Sequence, residues 1–114
     1  MEIRRIDDDF AVAGQITAAD VATIAGQGFK TLISNRPDAE EGAVAHDGIR
    51  EAAQAAGLAF HYIPVISGQI TRDNVTDMAA AMSGASLPIL AYCRSGARCA
   101  NLYGFVKSMG NSAS

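Results

Sequence analysis

Four short apolar runs alternate along the chain with four stretches whose apolar residues recur at helical spacing. Phe10-Ala11-Val12-Ala13 reads as a strand closed by Gly14. Thr17-Ala18-Ala19-Asp20 then opens a helix, with Thr17 as N-cap and a carboxylate three residues on, and Gly26 and Gly28 stop it. Lys30 to Ser34 is the second strand, left through the turn Asn35-Arg36-Pro37-Asp38. An Ala-rich helix follows from about His46 to Ala56, ended by Gly57. Leu58 to Val65 is the third strand, with Ser67-Gly68-Gln69 as its exit, and Thr71 opens a helix to about Met82. Leu87 to Tyr92 is the fourth strand and Ala97 to Met109 the fourth helix. The pattern predicts one α/β domain over residues 1–109, with a frayed tail over 110–114. Its mostly parallel sheet of four to five strands would be flanked by helices on both faces. In such folds ligands bind where C-terminal strand ends meet helix N-termini.

Composition narrows this picture. The chain has 114 residues, a single domain's length, and is 49% hydrophobic, but 22 positions are Ala. The core therefore depends on close packing of small-residue helices against a sheet. A charged fraction of 18% and a net charge of −3 are too mild for a disordered chain. A pI near 5.2 argues against a nucleic-acid partner. No apolar run reaches membrane-spanning length, and the start, Met1-Glu2-Ile3-Arg4-Arg5-Ile6-Asp7-Asp8-Asp9, turns acidic where a signal peptide would turn apolar. A cytoplasmic protein without a membrane partner is expected. The segment Gly-Gln-Ile-Thr occurs at 14–17 and again at 68–71, which reads as shared strand-exit and N-cap grammar rather than a duplicated half-domain.

One segment carries chemistry. Tyr92-Cys93-Arg94-Ser95-Gly96-Ala97-Arg98-Cys99-Ala100-Asn101 lies between the last strand and the last helix. Cys93 is thereby placed at the ligand face, and Gly96 lets the following loop curl with its N–H groups inward over the helix's positive end. Such a nest binds an anion and stabilises a thiolate at its floor. Arg98 supplies a planar fork of donors to close over the anion. Cys93 and Arg98 are the expected catalytic pair; Arg94, Ser95, Gly96, Ala97 and Cys99 form the expected anion-binding loop. If the loop folds back in this way, Cys99 lies near Cys93 and could trap an oxidised Cys93 as a disulfide.

Arg36, Asp73 and Asn101 are possible substrate contacts, each with an ordinary structural alternative: a turn arginine, a carboxylate favoured by a helix dipole, and a helix-surface amide. His46 and His61 have no cysteine at metal spacing, so neither a metal nor another cofactor is expected. His61, in a strand, reads as a packing residue.

The loop resembles those of two sets of cysteine enzymes. Cysteine-dependent phosphatases use Cys-x-x-Gly-x-x-Arg; rhodanese-type sulfurtransferases use a loop one residue shorter, often Cys-Arg-x-Gly-x-Arg. Cys93-Arg94-Ser95-Gly96-Ala97-Arg98 is the shorter form. Together with Gly14-Gln15-Ile16-Thr17, Asn35-Arg36-Pro37-Asp38 and Ile63-Pro64-Val65, it resembles the N-terminal domain of beta-lactamase-hydrolase-like proteins over most of residues 10 to 105. That resemblance implies a cysteine-phosphatase-like fold. It also implies a separate or fused partner, a metallo-beta-lactamase-like persulfide dioxygenase, whose His cluster is not in this sequence.

A phosphatase needs a general acid for the leaving group, which dual-specificity relatives place on the loop after the preceding strand. Here that loop is Ile66-Ser67-Gly68-Gln69-Ile70, without a carboxylate. The shorter loop and the missing acid favour sulfur transfer. In this reading Cys93 carries a persulfide taken from thiosulfate or a low-molecular-weight persulfide. The alternative is hydrolysis of phosphate monoesters through a phosphocysteine; a third reading is an anion-binding module without turnover. The expected substrate is a small anionic sulfur or phosphate compound.

Overall fold

The computed structural model describes residues 1–112. Five strands form one sheet: β1 (Ile3–Arg5), β2 (Phe10–Ala13), β3 (Thr31–Ser34), β4 (Ala59–Tyr62) and β5 (Ile89–Tyr92), in the spatial order β1-β2-β5-β3-β4. β2, β5, β3 and β4 run parallel, and β1 joins the edge antiparallel to β2. The α-helices are α1 (Val21–Gly26), entered through a 3-10 turn at Ala18–Asp20, α2 (His46–Ala55), α3 (Arg72–Ser83) and α4 (Ala97–Ser112).

The three central strands are buried at every position, as parallel strands covered on both faces must be. Side chains alternate between two cores. Phe10, Val12, Ile33, Ile89, Ala91 and Cys93 face Val75, Met78, Leu102 and Tyr103 of α3 and α4. Ala11, Ala13, Leu32, Leu90 and Tyr92 face Val21, Ile24, Ile49 and Ala53 of α1 and α2. Phe10 and Tyr103 stack in parallel at 3.9 Å between ring centroids, fixing α4 against the start of β2.

The helix starts follow local rules. Asp20 accepts from the Thr17 N–H at 2.9 Å, and Thr71 and Asn74 exchange backbone-to-side-chain bonds of 2.9 and 3.1 Å. The two Gly-Gln-Ile-Thr segments thus share N-cap grammar, but their glycines differ. Gly68 has φ +76°, whereas Gly14 owes its identity to space: a Cβ there would meet the Arg94 carbonyl oxygen at 3.0 Å.

The expected sheet of four to five strands has five, and one strand boundary needs correction. β1 is a fifth strand that apolar patterning does not reveal, because its Arg4 and Arg5 are exposed on the sheet edge. The run Leu58 to Val65 contributes only Ala59–Tyr62 to the sheet. Ile63 and Val65 leave the ladder but stay buried, their N–H groups donating to the Ser34 and Asn35 carbonyls at 2.8 and 3.1 Å. α4 is assigned as far as Ser112, and of the expected tail over 110–114 residues 113–114 lie outside the described part. Among the described residues no helix is long and apolar enough to cross a membrane.

Candidate active site

The sheet's carboxyl edge brings the loop of residues 93–98 together with the exits of β2 and β3. Cys93 directly follows β5, and its N–H donates to the Ala13 carbonyl at 3.2 Å. Gly96 turns the loop back with φ +92°, a region strained for any other residue, and a Cβ there would press on Val12 at 3.2 Å. Its N–H then points at the Cys93 sulfur, 3.1 Å away. α4 begins one residue later, so the thiol sits above a helix N-terminus.

These contacts decide the protonation state of Cys93. Its pKa is lowered to about 5, first by a hydrogen bond from the Cys99 thiol and then by backbone N–H groups of Cys99, Ser95 and Gly96, which together outweigh burial. Cys99 moves the other way: burial and the neighbouring Cys93 sulfur hold it protonated, well above the ordinary thiol value. The two cysteines, both buried, therefore divide into a thiolate and its donor.

Arg98 is 8% exposed and held by three acceptors. One terminal nitrogen, Nη1, donates to the carbonyls of Val65 at 2.8 Å and Asn35 at 3.4 Å; the other, Nη2, donates to Glu40 Oε1 at 3.0 Å. Its Nε is buried and has no hydrogen-bond partner among the described residues. A buried guanidinium N–H left unpaired is costly, while Arg98 itself borders the space over the loop. Glu40, kept ionised foremost by its bond from Arg98, also accepts from Arg36 Nε at 3.0 Å through the same oxygen.

Cys93, Arg94, Ser95, Ala97, Arg98 and Asn101 line an open cavity of about 1020 Å³, to which Ser67, Gly68 and Ile70 also contribute. Of the expected loop residues, Gly96 and Cys99 lie beneath it, shaping the floor and holding the thiolate. Ser95 Oγ accepts from the Ala97 N–H at 3.3 Å, an internal loop bond. Arg94 is exposed at the rim.

Two expected contacts do not reach the cavity. Arg36 is buried as a brace, its donors taken by Glu40, Gln15 Oε1 at 3.0 Å and the Glu41 carbonyl at 2.6 Å. Asp73 is exposed in the first turn of α3, away from the lining. His61 is half-buried in β4, while His46 stacks on Tyr62 at 3.7 Å and bonds Asp38 Oδ2 at 2.7 Å. Sequence reasoning missed Glu40, which sits in a polar loop with no motif spacing. The only available signal was that a buried arginine needs a carboxylate.

A parallel α/β sheet whose last strand delivers a thiolate into a helix-capping loop, with an arginine behind it, is the architecture of the cysteine phosphatases. The chain belongs to the family of the phosphatase-like domain of beta-lactamase hydrolase-like proteins, whose model matches residues 2–110. It is 36% identical over 104 residues to the beta-lactamase hydrolase-like protein of Agrobacterium fabrum and 33% identical to that of Xylella fastidiosa. It covers 90% of its own length in each match but 24% of each relative, so the chain spans about a quarter of those proteins. Among solved structures it resembles a protein of Neisseria meningitidis provisionally named a phosphatase: 38% identity, TM-score 0.83, covering 94% of this chain and 77% of that one. The core catalytic domain of the PP-IP phosphatase SIW14 from S. cerevisiae shares the fold at TM-score 0.73 and 15% identity, covering 96% of this chain and 66% of that one. The resemblance to a cysteine-phosphatase-like fold thus stands. The sulfurtransferase expectation finds no support in these likenesses, which side with the phosphatase-like alternative.

Proposed function

We propose that the domain is a cysteine-dependent hydrolase of phosphate monoesters. The observation that carries the reading is one cavity lined by both the Cys93 thiolate and the buried Arg98, within a phosphatase-like fold. The thiolate sulfur attacks phosphorus, the ester P–O bond breaks, and the leaving oxygen departs with the bonding pair. Water then cleaves the phosphocysteine, releasing inorganic phosphate and regenerating the thiolate. Arg98 and the loop N–H groups bind the phosphoryl oxygens throughout.

Among the described residues no carboxylate lines the cavity, so the leaving group receives little help from a protein acid. That favours aryl esters, because a phenol of pKa about 10 leaves as its oxide far more readily than an alkoxide does. The test is mass spectrometry of intact protein quenched during turnover of an aryl phosphate. A gain of about 80 Da on Cys93 supports the reading through its covalent intermediate. Turnover without any such adduct, undiminished in Cys93→Ser, overturns it.

The one-residue-shorter loop favours a second reading, in which Cys93 accepts a single sulfur atom from thiosulfate or a persulfide. Its mark is a gain of about 32 Da after thiosulfate. The partner proposed for that chemistry is a metallo-beta-lactamase-like persulfide dioxygenase.

A further inference from the structure

The cavity is larger than a phosphoryl group requires. At about 1020 Å³ it stands at the top of the roughly 300–1,000 Å³ usual for pockets that take drug-sized ligands. The catalytic loop closes only its inner end. From there the cavity follows α4 past Gly104 and Phe105, about 12 Å along the helix at 1.5 Å per residue, with Ile70 among the residues opposite. A Cβ on Gly104 would meet nothing within 4 Å, so the space over that turn is open. Phe105 beside it is 54% exposed, a large apolar face presented to the same cavity. The charged lining residues, Arg94 and Arg98, belong with Cys93 to the inner end, so the anion's place is there. The outer stretch, with Gly104, Phe105 and the uncharged Ser108, therefore suits an uncharged, flat, largely apolar group rather than a second anion.

We propose that the groove along α4 is an extended leaving-group subsite. It takes an aromatic ring beyond the one bearing the phosphate, laid over Gly104 and against Phe105. The inference rests on the phosphatase reading for the identity of the anion but adds the substrate's length, and it makes Gly104 and Phe105 specificity-determining residues. Any side chain at 104 would occupy the ring's place.

Binding and turnover test it separately. Calorimetric titration with phenylphosphonate and biphenyl-4-phosphonate is expected to show the longer ligand binding at least about tenfold more tightly, from the apolar area of its second ring. Gly104→Leu, which improves helix propensity and meets open space, should bring that ratio close to one, and Phe105→Ala should reduce it several-fold. Equal affinities in the wild type, or a ratio unmoved by Gly104→Leu, overturn the subsite. Hydrolysis of phenyl phosphate and biphenyl-4-yl phosphate separates the two layers. Failure to cleave either ester, with the phosphonate ratio intact, removes the phosphatase reading and leaves the groove. Cleavage of both with equal kcat/KM, and equal phosphonate affinities, removes the groove and leaves the reading.

Discussion

Two connections cross the carboxyl edge of the sheet next to each other, and they serve opposite ends. The loop from β5 to α4 spans four residues, 93–96, and carries the chemistry in its own backbone: a left-handed Gly96, inward N–H groups and a thiolate. The connection from β3 to α2 spans residues 35–45 and contributes no residue to the cavity lining. Yet it supplies Glu40 and the Asn35 carbonyl to Arg98, and Arg36 to Glu40. The short loop creates a reactive site by geometry, while the long one aims it from behind. A buried guanidinium can be held in a fixed direction only if most of its donors are already satisfied, as three of the five are here.

The largest expected effect tests the short loop. Cys93→Ser should lower kcat for an aryl phosphate by at least about a thousandfold while phosphonate binding persists, since only the nucleophile is lost. Stopped turnover with retained calorimetric binding would establish the split. The same variant removes a pH-dependent part of stability. The wild-type thiol has a folded pKa of about 5, below its unfolded value, so it stabilises the fold above the unfolded pKa and loses that contribution as pH falls toward 5. Denaturant melts of the two proteins across this range should converge at the acid end.

Arg98→Lys comes next, with an expected loss of about a hundredfold in kcat/KM, because a point charge cannot serve the carbonyls, Glu40 and an anion together. Activity equal to the wild type would reduce Arg98 to a charge. Glu40→Gln sharpens the comparison. It should cost about tenfold, chiefly in kcat, with folding intact, because Arg98 loses its ionic anchor while its carbonyl partners remain. An unchanged kcat would mean that the long connection does not aim the site.

The smallest effect falls on the donor under the thiolate. Cys99→Ser replaces a weak S–H donor with a stronger O–H donor, so the acid limb of the kcat/KM profile should move below pH 5 by less than about one unit. An unmoved or raised limb would exclude Cys99 as the donor that sets the thiolate.

The alternation that gives a parallel α/β sheet, and the placing of Cys93, Gly96 and Arg98 on one strand–loop–helix, were legible in the order of residues. So were the Thr17 and Thr71 helix starts. Each of these depends on residues within a few positions of one another, where periodicity, capping and glycine geometry act. β1 escaped because an edge strand with outward arginines has no apolar signature. Tertiary structure alone decided that Arg36 is a brace rather than a ligand contact, that Asp73 stays outside, and that Glu40 belongs to the site. The Glu40–Arg98 bond joins positions 58 apart and the Val65–Arg98 bond positions 33 apart. Such pairings follow from which strand ends become neighbours in the sheet, and the β1-β2-β5-β3-β4 order is set by packing between distant segments.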